Sequence, residues 1–193
     1  MHSFGFYSSG KRKDDVIYKP SAKSISLPDA YELPDVLPVQ DQGSDGACVS
    51  YTVTEMINYY NLQRGIDFNP DYTEFYDKRE DTSLDGMTPR EALEILKEEN
   101  RIKVYARLSS LSAIKKSILS HGPALIAMIA RSDDYHFWEG PQVVGGHAVS
   151  CIGYNEEGLI LKNSWGYDWG DNGLTVLPYK SINKVTEAWT ILS

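Results

Sequence analysis

The sequence predicts an α+β fold with helices gathered early in the chain and strands late, on three observations. Apolar residues recur at three- and four-residue steps from Cys48 to about Arg64. The stretch Thr88-Pro89-Arg90-Glu91 opens a second pattern of that kind, and after Gly122 the chain breaks into short apolar runs separated by turn residues. A parallel sheet would alternate strand and helix throughout, which this chain does not do.

Residues 27 to 46, LPDAYELPDVLPVQDQGSDG, hold three Leu-Pro pairs and two glycines, a composition for extended and turning backbone. Val49, Val53, Met56 and Tyr60 then form one stripe on a helix that begins at Cys48 and stops at Gly65. Thr88 caps the second helix, Pro89 suits its first position, and Glu91 completes a capping box ahead of Ala92, Leu93 and Leu96. A third helix runs from about Ser110 to His121, carries Leu111, Ile114 and Ile118, and is closed by Gly122. Strands are expected at 124 to 130, 147 to 154, 159 to 163, 174 to 179 and 188 to 192.

With 193 residues, 41% of them hydrophobic, the chain has material for one good-sized core or two small lobes sharing one. Its longest apolar run, Ala124 to Ala130, is far short of the roughly 20 residues that span a bilayer, so no membrane partner is expected. The N-terminus lacks the apolar stretch of a secretory signal, which points to the cytoplasm, or to the host-cell cytoplasm for a viral or phage product. A net charge of −8 argues against nucleic acid as a partner, because phosphate binding needs clustered Lys and Arg. The charge is uneven: residues 1 to 26 carry five Lys and Arg against two Asp, and the acid excess lies in the rest, notably at 71 to 99. This arrangement fits either a solvated, flexible basic arm or a basic N-terminal segment docked on its own acidic body. No clustered His, Cys or carboxylate spacing suggests a metal, and no cofactor is expected.

Two cysteines allow at most one disulfide and leave a thiol free for chemistry. A thiol attacks as thiolate, and its usual pKa of about 8.5 must be lowered, for which the first turn of a helix is suited. Cys48 sits at such a start. A neighbouring imidazole lowers the pKa further and carries the proton, and a third group must hold the ring. His147 and Asn163 supply that base and that orienter. Cys151 falls in the alternation of an apolar strand and reads as core, while His2, His121 and His136 read as surface or turn residues.

The motifs are Gln42-Gly43-Ser44-Asp45-Gly46-Ala47-Cys48, Gly145-Gly146-His147-Ala148, Asn163-Ser164-Trp165-Gly166 and Trp169-Gly170-Asp171-Asn172-Gly173. Together they resemble the papain-like cysteine peptidases over most of residues 27 to 193. Asp45 replaces the family's usual half-cystine and Val49 the bulky Trp after the nucleophile, a pattern closer to cysteine-poor prokaryotic and viral or phage members. The resemblance implies a two-lobe fold, with a helical left lobe at about 41 to 105, an antiparallel, barrel-like right lobe at about 106 to 193, and an active-site cleft between them. By the same resemblance Cys48 is the nucleophile, His147 the general base and acid, and Asn163 its orienter. Gln42, with the Cys48 N–H, would form the oxyanion hole, and Trp165 would shield the Asn–His bond. Gly86, Met87, Gly146 and Ala148 would line the cleft for a peptide or protein substrate, with Trp165 beside them. The segment FGFYSSGKRKDDVIYKP is similar to the short lead-in of some prokaryotic members, which makes it the candidate for inhibition in cis. Two other readings use the same residues: transpeptidase, isopeptidase or peptidoglycan amidase chemistry, or a peptide-binding module that has lost catalysis.

Overall fold

The computed structural model describes residues 3–20, 26–34, 36–67 and 70–192. His2 and residues 21 to 25 of the basic segment, Lys23 among them, lie outside the described residues.

Helix α1, Cys48–Leu62, buries Val49, Val53, Met56, Ile57 and Tyr60, and the chain turns away through Gly65 at φ 65°. No side chain caps its start, so its first amide groups remain available. After the single turn α2, Glu74–Asp77, comes α3, Pro89–Glu98, which opens with the full capping box. Thr88 Oγ1 accepts from Glu91 N–H, and the Glu91 carboxylate accepts from Thr88 N–H. Helix α4, Leu111–His121, is capped by Ser110 and closed by Gly122 at φ 105°.

The strands are β1 Tyr31–Glu32, β2 Val104–Arg107, β3 Ala124–Arg131, β4 Val143–Tyr154, β5 Gly158–Lys162, β6 Leu174–Pro178 and β7 Val185–Leu192. They form one antiparallel sheet in the order β2-β7-β3-β4-β5-β6, with β1 beside the far end of β4. Successive residues of a strand face opposite sides, and β3 uses this to serve two cores. Ile126 and Met128 join a cluster with α4 and with Phe137, Trp138, Trp165 and Trp169. Leu125 and Ala127 join another with α1, α3 and Trp189.

The observed architecture is the expected α+β fold, with local differences. Strand β2 precedes α4, so helices and strands are less segregated than the sequence suggested. Its four residues, of which Val104 alone is exposed, become a strand by pairing with β7. β4 starts at Val143, because Gly145 and Gly146, which read as a turn, pair with Ala130 and Ile129.

The N-terminal segment lies on the body, but the charge rationale for it is overturned. Its Asp15 is held by two body arginines, Arg90 at 2.7 Å and Arg107 at 3.2 Å. Lys11, Arg12 and Lys13 point to solvent, and among the described residues no ion pair holds them. An aspartate brought close to two guanidinium groups gains more than lysines spread over a wet acidic face, where each pair is worth little. Val16 and Tyr18 also bond the backbone of Arg107, extending the sheet at the outer edge of β2.

Candidate active site

Cys48 is the first residue of α1 and is completely buried. Burial pushes its thiol up to about 11, against the pull of backbone N–H groups from Ala148, Gly5, Val49 and Cys48 itself. The uncapped helix start and the following strand residue therefore converge on the sulfur.

His147 lies mid-way along β4, opposite Met128, and is buried. Asn163 follows the last residue of β5, so adjacent antiparallel strands bring the two together. His147 Nε2 meets Asn163 Oδ1 at 2.7 Å, and the same oxygen accepts the Ser164 N–H at 2.8 Å. A backbone N–H can only donate, so the atom it meets is the amide oxygen. Nε2 then carries the ring proton, and Nδ1 keeps the lone pair that a base requires. Trp165 stacks on the imidazole at 4.3 Å between centroids and 21° between planes, covering the bond.

Gln42 is fixed from both ends. Its Oε1 accepts Ser164 Oγ–H at 2.5 Å, while Nε2 donates to Asp45 O at 2.7 Å and to Ser3 O at 3.4 Å. Of the two carbonyls at this donor, the nearer is that of Asp45 and the more distant comes from the chain's own N-terminal segment. That segment continues along the cleft: Phe6 N–H donates to Gly146 O, Met87 N–H to Gly5 O, and Tyr7 N–H to Met87 O. This close approach requires glycine at several positions, Gly86 and Gly146 among them. A Cβ on Gly86, at φ 148°, would lie 2.3 Å from Gly5 O, and one on Gly146 would lie 2.2 Å from Phe6 O. Met87 and Phe6 are buried together with Cys48 and Ala148.

Gln42, Ser164, Asn163 and His147 form one hydrogen-bonded chain, Ala148 touches the thiol, and Gly86, Met87 and Gly146 frame the segment. Several partners had no motif to announce them. Phe137 stands edge-on to His147 at 5.0 Å, and Phe4 packs on both His147 and Trp165. Glu187 accepts Ser8 Oγ–H and Ser9 N–H, each at 2.7 Å. Behind the site, Lys162 and Glu55 form a buried ion pair that joins β5 to α1, and both also bond the backbone of Leu37. Among the described residues, no group of three His, Cys, Asp or Glu gathers as a metal site, and no helix is long and apolar enough to cross a membrane.

A cysteine at an open helix start, packed against the strand residue that follows a histidine whose ring is held by an asparagine, is an arrangement found in thiol peptidases. Residues 39 to 188 match the papain family of cysteine proteases, and the chain belongs to that family. It is 29% identical over 116 residues to Cathepsin B-like cysteine proteinase 3 of Ostertagia ostertagi, across 54% of this chain and 67% of that one. Over 55 residues it is 46% identical to an uncharacterized peptidase C1-like protein of Acanthamoeba polyphaga mimivirus, covering 26% of this chain and 18% of the viral one. Among solved structures, xylellain, a cysteine protease from Xylella fastidiosa, superposes with a TM-score of 0.83. That match covers 98% of this chain and 96% of xylellain at 19% identity, a likeness of fold.

Proposed function

We propose that this protein is a cysteine endopeptidase whose cleft is closed by its own residues 3 to 10. With the segment withdrawn, His147 Nδ1 takes the Cys48 proton and the thiolate attacks a substrate peptide carbonyl. Gln42 Nε2 and the Cys48 N–H hold the resulting oxyanion. The C–N bond breaks as His147 returns the proton to the amine, leaving an acyl-enzyme on sulfur. Water deprotonated by His147 then releases the acid. Asn163 keeps the imidazole in its tautomer and plane throughout. We further read residues 41 to 105 and 106 to 193 as the two walls of the cleft, joined by a shared core in which Leu125, Ala127, Ala148 and Trp189 pack with α1 and α3. The chemistry needs a reduced Cys48, which fits a reducing compartment such as the cytoplasm.

The observation that carries the reading is what the segment presents to the machinery. Ser3 O shares the Gln42 donor with Asp45 O, while the group the segment brings to the thiol is the Gly5 N–H. An amide N–H offers the sulfur a proton and no electrophilic carbon, so the segment blocks the site without being attacked. Its bridge to Met87 runs parallel.

The test compares the full chain with one lacking residues 1 to 10, each treated with iodoacetamide and assayed on a denatured protein. The shortened chain should hydrolyse it and be alkylated at Cys48 well before Cys151, with both effects lost in Cys48→Ala. Equal, sluggish labelling of both cysteines with no hydrolysis overturns the reading.

A further inference from the structure

Cys48, Thr52 and Glu55 stand one and two turns apart on a single face of α1, which packs on β4. Thr52 Oγ1–H donates to Cys48 O at 2.9 Å. Ser150 of β4 is paired with Lys162 of β5, both are buried, and Asn163 follows Lys162 directly. Thr52, Glu55, Ser150, Lys162 and Asn163 share a hollow of about 20 Å³, room for one water molecule.

The donors around this hollow outnumber the bonds they make. Asn163 Oδ1 is taken twice, by His147 and by Ser164 N–H, but Asn163 Nδ2 is buried with no hydrogen-bond partner among the described residues. Lys162 Nζ carries three protons and gives two of them, to Leu37 O and to Glu55 Oε2. Acceptor capacity remains on the Glu55 carboxylate, which receives only Leu37 N–H and Lys162, and on the hydroxyl oxygens of Ser150 and Thr52. A water joins two donors to two acceptors, and a space so small and so polar takes nothing larger.

We propose that the hollow is a structural water site, and that Glu55 and Lys162 are positioning residues for His147, acting through that water and Asn163. The water accepts from Asn163 Nδ2 and Lys162 Nζ and donates to Glu55 and Ser150. It grips the amide by its nitrogen while Ser164 N–H grips its oxygen. An amide turned over would set Nδ2–H against both the Ser164 N–H and the His147 Nε2–H, and the ring could keep its bond to Asn163 only by moving the proton to Nδ1. The pair and its water therefore hold that proton on Nε2 and leave the lone pair on Nδ1. This inference rests on the reading of Asn163 as the orienter of His147.

Two measurements on the full chain test it. A crystal structure should show a water within hydrogen-bond distance of Asn163 Nδ2 and Lys162 Nζ, and a hollow without density there overturns the water site. Long-range proton–nitrogen correlation spectra of the chain labelled at histidine, recorded at a pH where the ring is neutral, read the tautomer. His147 is assigned by its absence in His147→Gln. The parent should carry the proton on Nε2. In the Glu55→Gln, Lys162→Met double variant, which keeps the shape of the pair without its charges, the ratio of the Nδ1–H form to the Nε2–H form should rise by about tenfold, the weight of one hydrogen bond. Ser150→Val fills the hollow with methyl groups and leaves the ion pair intact. It should move the ratio the same way, and it carries the test if the double variant does not fold. A pair that only ties β5 to α1 would change the melting temperature and leave the tautomer alone, so folded variants with the parental tautomer overturn the positioning role and nothing else. If the parent itself holds the proton on Nδ1, the reading of His147 as the base falls and this inference with it.

Discussion

Asn163 Oδ1 receives two hydrogen bonds, and that single atom decides where the imidazole proton sits. Gln42 is constrained as firmly, since Ser164 fixes its oxygen and so turns its Nε2 toward the cleft. In a chain lacking residues 1 to 10, Gln42→Ala should lower kcat by about 10² to 10³, roughly 3 kcal/mol, with a smaller change in KM. Steady-state kinetics on a peptide substrate would show the split. Lys162→Met should destabilise by about 3 to 5 kcal/mol, because it strands the buried Glu55 carboxylate. Adding Glu55→Gln should recover much of that loss in the denaturant midpoint. Gln42, Cys48, His147 and Asn163 were legible in the sequence because each sits in a short motif whose spacing reflects local backbone geometry. Phe137 and Glu187 were not. They reach the site through the β3–β4 hairpin and the last strand, and packing an aromatic edge on a ring leaves no spacing signature.

At the level of elements, local chemistry was readable wherever it closed on itself. The capping box at Thr88 is complete in the structure, and Thr88→Ala should cost about 1 kcal/mol, seen as a lower melting temperature. Strand β2 was hidden because its four residues carry no alternation long enough to detect, and its identity comes from β7 and from the N-terminal segment laid along it. Gly146 shows how one backbone position in β4 serves docking. It lies outside the left-handed region, so the strand tolerates a side chain, but a Cβ there would meet Phe6 O at 2.2 Å. Full-length Gly146→Ala should therefore keep its fold by circular dichroism and expose Cys48 to iodoacetamide faster than the parent chain. Unchanged labelling would mean that the segment shifts to accommodate the methyl group.

For the molecule as a whole, Asp15 ties the N-terminal segment to the body beside Ser9 and Gly10, whose carbonyls the same arginines hold. Burial opposes its charge, but the Arg12 N–H, the Arg90 hydrogen bond and the charges of Arg90 and Arg107 outweigh burial and hold its carboxyl below 3.8. Glu187 lies beyond Arg107, and Glu94, Lys97 and Lys103 ring the same hollow. A carboxylate whose folded value is depressed stabilises the docked form above its free value, and the effect fades as pH falls through the depressed one. Closure should therefore persist from pH 8 to pH 5 and weaken only below about pH 4. The ratio of Cys48 alkylation in the full chain to that in the chain lacking residues 1 to 10 checks this, because the thiol's own titration cancels. Mild acid alone is thus a poor activator.

The contact of Val16 and Tyr18 with Arg107 matters for colloidal behaviour as well. An outermost strand with unpaired amides and carbonyls is adhesive toward other copies of itself. In this protein Val16 to Tyr18 act as a selvage on β2. Preparations trimmed past Tyr18 should instead clump at concentrations where those retaining it stay monodisperse, and light scattering would separate the two.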